Sequence, residues 1–330
     1  MPYIFWGKIQ SGLTGISSQA AVCFCGNSAL AAAGVSLLAA GFALGRLTAP
    51  VTATPLPPEP PAVQETLLAA RGSAPPTQTS APSAQQNSPL ASEAYNFKEP
   101  LIEQAARLML KKGDGGPVTY GELEEITEIF IYGKEIVNEQ ENPEWWEDRP
   151  PVTPGSIKSL EDFRGMKNLR KLRLYSQPFS EISPLAECLQ LEHINVSSCN
   201  VSDLSSLAGL PLLSRVDIGD TFVTDYSIFA RIGSLRQLCI HNAEIARVSD
   251  LGDLPGLETL ELPGGTLDSL DGIERMPWLQ QLNIAHTSVT DFSLLNDRNA
   301  LPRFRQLAVG AGMERYLNTL DRDDVEITVF

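Results

Sequence analysis

The chain predicts an α/β solenoid, a curved parallel β-sheet with one short strand per coil, backed on its convex side by helical or 3-10 turns. Three observations predict it. In QLEHINVSSCNVSDL the apolar residues fall at Leu191, Ile194, Val196, Val201 and Leu204, a spacing that fits neither a helix of period 3.6 nor an alternating strand. The same five slots recur at every shift of 22 residues, from Leu169, Leu172, Leu174, Phe179 and Ile182 to Leu279, Leu282, Ile284, Val289 and Phe292, so six registers fill thirty slots with thirty apolar side chains. A degenerate seventh register, Phe304, Leu307 and Val309, keeps the spacing after the insertion in NDRNALPRF.

Each element of a coil follows from its residues. The LxL core, Ile194 and Val196 in the first stretch, reads as a strand whose two inward side chains flank one outward residue. The return segment DLSSLAGLPLL brings Leu207 and Leu210 to the opposite wall, and Asp203, Asp225 and Asp291 are placed to cap a helical or 3-10 turn. One such coil cannot bury enough surface to offset its ordering entropy, so neighbours must stack.

The consensus LxxLxLxxxxVxDLxxLxxLPx, spanning about residues 169 to 310, resembles the 22-residue leucine-rich repeat of the internalin-like bacterial surface proteins. That resemblance implies a leucine-rich repeat solenoid, an N-terminal helical cap and display outside the cytoplasm. Where the family usually carries Asn, this chain has Gln177, Cys199, Thr221, Ala243, Gly265 and Thr287, so the side-chain ladder between successive loops is expected to be largely missing and the loops looser.

Residues 95–136 read as the N-terminal cap: EPLIEQAARLMLKK is amphipathic, Thr119 and Glu122 form a capping box, and Ile126, Ile129, Ile131 and Ile136 repeat the apolar spacing once more. An acidic, Pro-rich insert follows at 137–157 with adjacent Trp145 and Trp146; repeats fill 158–311, and 312–330 supply a closing helix, MERYLNTL, and an edge strand, VEITVF. Residues 47–94 are rich in Pro, Ala, Ser, Thr and Gln and read as a disordered linker. Ahead of it, after a short tail at 1–28, residues 29–46 form an apolar run without charge before Arg46, near the lower length limit for a bilayer span. It reads as an uncleaved signal anchor, with a cleaved signal peptide or a buried segment as alternatives.

The net charge of −15 falls entirely on residues 95–330, because Lys8, Arg46 and Arg71 balance Glu59, Glu65 and Glu93. Such an acidic domain disfavours nucleic acid or an anionic membrane surface as partner, leaving the membrane to the N-terminal segment alone. The five cysteines form no disulfide framework, and Cys188, Cys199 and Cys239 are expected as buried thiols. His193, His241 and His286 fall at different repeat offsets and are expected as surface strand residues rather than metal ligands. No nucleophile elbow, phosphate loop or paired CxxC occurs, so neither an enzyme nor a cofactor is expected.

Strand alternation identifies a candidate site. With Leu172 and Leu174 inward, Lys171, Arg173 and Tyr175 point to the concave face, where His193, Asn195, Arg215, Asp217, His241 and Glu261 follow in the matching positions. Lys171, Arg173, His193 and Arg215 should then cluster as a basic patch, balanced by Asp217 and by Glu181 or Glu187. Together with Tyr175, and with Trp145 and Trp146 from the insert, they favour a protein partner, and the charge of the patch favours one with an acidic epitope. The opposing expectation is a structural spacer or regulatory subunit of a membrane complex with no concave-face ligand.

Overall fold

The computed structural model describes residues 89–113, 115–137 and 152–330. The expected tail, membrane segment and most of the linker lie outside these residues, as do Trp145 and Trp146. Among the described residues, ten strands form a single sheet: β1 (Glu128–Tyr132), β2 (Glu135–Ile136), β3 (Lys171–Tyr175), β4 (His193–Asn195), β5 (Arg215–Gly219), β6 (Gln237–His241), β7 (Thr259–Glu261), β8 (Gln281–Asn283), β9 (Gln306–Val309) and β10 (Glu326–Val329). From β3 to β10 they stack in chain order and in parallel. Leu172, Ile194, Val216, Leu238, Leu260, Leu282 and Leu307 stand side by side in one row. The 22-residue period is therefore the register of the sheet.

Burial explains the period. The inward strand residues Leu172, Leu174, Ile194, Val196, Val216 and Ile218 are fully enclosed, as are Leu207 and, nearly so, Leu210 on the opposite wall. Short 3-10 turns carry the chain back, at Ser183–Glu187, Ser205–Gly209, Ser227–Arg231 and Ser293–Asn296 among others. Asp203, Asp225 and Asp291 stand one residue before the N-caps Leu204, Tyr226 and Phe292, and each carboxylate accepts the N–H two residues ahead, from Ser205, Ser227 and Ser293, at 2.7, 3.0 and 2.8 Å.

Just past the strands runs a column of left-handed residues: Gly133, Ser176, Ser198, Asp220, Asn242, Gly264 and His286. The backbone turns sharply there, which favours Gly, Asn and Asp. The expected loss of the side-chain ladder is only partly correct. Gln177 donates to Gly133 O and Tyr175 O and accepts from Ile157 N–H, and Cys199 Sγ reaches Leu174 O of the preceding coil at 3.2 Å. Further along the ladder is replaced by close packing: Gly265 has φ +78°, and a Cβ there would stand 2.2 Å from Ala243 O.

At the N-terminal side, helix α1 (Pro100–Met109) buries Leu101, Ile102, Ala105 and Ala106 in the same core, and Thr119 and Glu122 form the expected capping box ahead of the single turn α2 (Tyr120–Leu123). Two acids staple this segment across the insert. Buried Asp162 accepts from the N–H groups of Lys98 and Glu99 and from the Tyr95 hydroxyl, while Glu99 accepts from those of Lys158 and Ser159. Ile136 keeps the apolar spacing but pairs antiparallel with Ile131, because Gly133 turns the chain into a hairpin. The closing helix expected in MERYLNTL is a 3-10 helix at Glu314–Thr319. Beyond it Arg322 is buried and donates to the carbonyls of Leu295, Leu301 and Phe304, fastening the last coil.

Candidate functional site

The concave face is a grid set by strand register. One row runs Glu128, Lys171, His193, Arg215 and Gln237; the next runs Phe130, Arg173, Asn195, Asp217, Cys239, Glu261 and Asn283. The structure thus brings Lys171, Arg173, His193 and Arg215 together on three adjacent strands. Tyr175 stacks on Tyr132 with ring centroids 4.6 Å apart and planes at 12°, and the Arg173 guanidinium lies 5.0 Å from the centre of the Phe130 ring. An aromatic step therefore borders the cations at the N-terminal end of the face.

Phe130 and Tyr132 are concave residues that the repeat alignment left out, because it began the face at Lys171. The signal was present: once Ile129 and Ile131 are inward, 130 and 132 must point outward.

His193 is not the surface residue expected but is buried, with Nε2 2.7 Å from Asp217 Oδ2. Arg215 Nε lies 3.1 and 3.0 Å from the two oxygens of the same carboxylate and its Nη1 donates to Gln237. Burial works against ionising Asp217, but the hydrogen bond from His193 and the charge of Arg215 outweigh it and hold the carboxyl at about 2. Burial drives the His193 imidazole below its ordinary value; the contact with Asp217 opposes this, and the charges of Arg215 and Arg173 add to it. An ionised Asp217 beside a neutral imidazole requires the Nε2–H tautomer. Arg215 is thus engaged with Asp217 and Gln237, and Lys171 and Arg173 are the cations nearest the aromatic step.

Two further expectations change. Glu187 does not balance the patch; it pairs with Arg164 and Lys167 on the turn side. Asp217 and Glu261 occupy concave positions, yet are 3% and 8% exposed, because side chains crowd on the inside of the curve. Asn195 turns its side-chain oxygen back to Ser197 N–H, and His241 is half-buried on β6. Cys188, Cys199 and Cys239 are buried free thiols; burial pushes the Cys188 thiol up to about 11 and that of Cys199 to about 12. Among the described residues, no group of three His, Cys, Asp or Glu could hold a metal, and no helix is long and apolar enough to cross a membrane.

A stacked parallel sheet, one 22-residue coil per strand and short 3-10 turns define a leucine-rich repeat solenoid. Internalin C2 from Listeria monocytogenes has a similar fold: TM-score 0.53 and 18% identity, over 71% of this chain and 94% of that one. Lower similarity is found to an internalin, InlF, from the same organism (TM-score 0.43, 18% identity, 71% and 91% covered) and to a leucine-rich repeat protein from Leptospira interrogans (TM-score 0.40, 16% identity, 52% of each chain). No protein-family model and no curated relative matches the sequence. The fold is internalin-like.

Proposed function

We propose that this chain is a non-enzymatic protein-binding module, tethered to a membrane by residues 29–46 and held outside the cytoplasm on the linker at 47–94. It binds a protein partner through the N-terminal third of its concave face. The observation that carries this reading is the cluster of Lys171 and Arg173 beside the stacked Tyr132 and Tyr175, with Phe130 beneath Arg173. Aromatic and Arg side chains dominate binding hot spots, and a repeat solenoid holds them on a rigid, extended surface. The patch is cationic within a domain of charge −15, so a small acidic epitope suits it better than a large polyanion.

Arg173 can grip a carboxylate bidentately while Tyr175 walls the site. The buried His193 and Asp217, with the half-buried Arg215, form the floor that fixes this geometry. Affinity capture with the intact chain and with the Arg173→Ala, Tyr175→Ala double variant tests the reading: the partner is retained by the first and lost by the second. Equal capture by both would favour the spacer instead. For the tether, the chain should resist alkaline extraction from membranes and expose its linker to added protease in intact cells; a soluble form beginning near Thr54 would contradict it.

A further inference from the structure

We propose that β10 is a self-association edge through which two copies of this chain pair antiparallel about a twofold axis at Thr328. Among the described residues β10 is the outermost strand and pairs with β9 only. Its inward residues Ile327 and Val329 continue the rows of Leu307 and Val309, but are 40% and 43% exposed where Leu307 and Val309 are enclosed. The strand is EITV, rich in β-branched residues, and carries neither the Lys nor the Pro that blunts an edge. Glu326 N–H donates to Arg305 O at 2.7 Å and Phe330 N–H to Val309 O at 3.0 Å. By strand alternation, the amides of Ile327 and Val329 face the outer edge.

Charge selects a second copy as the occupant. Residues 297–330 hold five arginines and six carboxylates, a net −1, whereas residues 95–296 carry the remaining −14 of the chain's −15. Arg298 and Arg305 are already matched to Asp323 and Asp324. Two acidic molecules therefore meet here with less repulsion than the average charge of residues 95–296 would impose.

The strand is also self-complementary. A twofold axis through Thr328, normal to the sheet, sets Ile327 against Val329 of the other copy, and Glu326 against Phe330, so both apolar residues stay inward. Both concave faces then open on the same side, which makes the pair bivalent. Lys171 and Arg173 lie at the opposite end of the sheet, so failure of this pairing would leave the concave-face reading untouched.

The test is sedimentation of the full chain in detergent over a concentration series, with Val329→Pro and Ile327→Lys as edge variants and Thr328→Cys as a register probe. Val329→Pro removes an outward amide while sparing the donors that bond β9. We expect a dimer that weakens at least tenfold in both edge variants at an unchanged melting transition, and a Thr328→Cys disulfide dimer on mild oxidation that is absent from the unsubstituted chain. A monomer throughout the series, or a dimer that ignores both edge variants and gives no cross-link at 328, overturns the proposal. Should an edge variant melt early, the cross-link decides.

Discussion

His193 on β4 and Asp217 on β5 meet across one strand spacing, Nε2 to Oδ2 at 2.7 Å, and Arg215 closes the other side of the same carboxylate. Both folded-state pKa values lie below the ordinary ones, so the unfolded chain binds more protons and stability rises with pH. The His193 contribution is lost as pH falls below about 6.5, and that of Asp217 between 3.8 and about 2. Urea midpoints measured from pH 7 down to pH 3 should fall in these two windows. Asp217→Asn should cost about 2 to 4 kcal/mol at pH 7 and flatten the lower limb; an unchanged lower limb would remove Asp217 from the account.

Val216 is an inward strand residue with no exposure. Val216→Asp would place an unpaired charge in the continuous core and should abolish the cooperative melting transition, while Val216→Ala should lower stability by only about 1 to 3 kcal/mol. A native transition in the Asp variant would mean that the strand faces were misassigned.

Gly265 tests the packing that stands in for the ladder. Its φ of +78° and the close approach of Ala243 O leave no room for a methyl group, so Gly265→Ala should destabilise by about 2 to 4 kcal/mol. The same change at Gly209, where a Cβ would meet no atom within 4 Å, should be nearly neutral or stabilising. Chemical denaturation of the pair compares the two sites directly.

Gln177 joins Gly133, Tyr175 and Ile157 through one buried amide. Gln177→Ala should raise hydrogen exchange at the Ile157 amide at least tenfold while leaving β6 to β8 protected. Uniformly raised exchange would mean that the tie is global rather than local.

Much of this was legible in the sequence, for a stated physical reason. The 22-residue period is a one-dimensional signal, since each coil touches only its neighbours, and so inward slots such as Leu172 and Val216 were fixed by pattern alone. The pairing of Ile136 with Ile131 was not legible, because the hairpin at Gly133 interrupts the period without altering the apolar spacing. The concave residues were placed on the right face, but their burial was not legible: alternation gives direction, whereas the enclosure of His193, Asp217 and Glu261 depends on curvature and on which neighbours lie across them. The roles of Asp162 and Arg322 were invisible for the same reason, since the backbone groups they bond lie from 18 to 64 residues away in the chain.

The central claim is that binding energy concentrates at Arg173 and Tyr175. The most direct measurement is the affinity of the captured partner for three forms of the chain: unsubstituted, Arg173→Ala with Tyr175→Ala, and Glu274→Gln on the 3-10 turn Ile273–Arg275. The account predicts a loss of about 2 to 4 kcal/mol for the double variant and well under about 1 kcal/mol for Glu274→Gln, measured at a temperature where both variants retain the folded state. Equal, small losses in the two variants would contradict it.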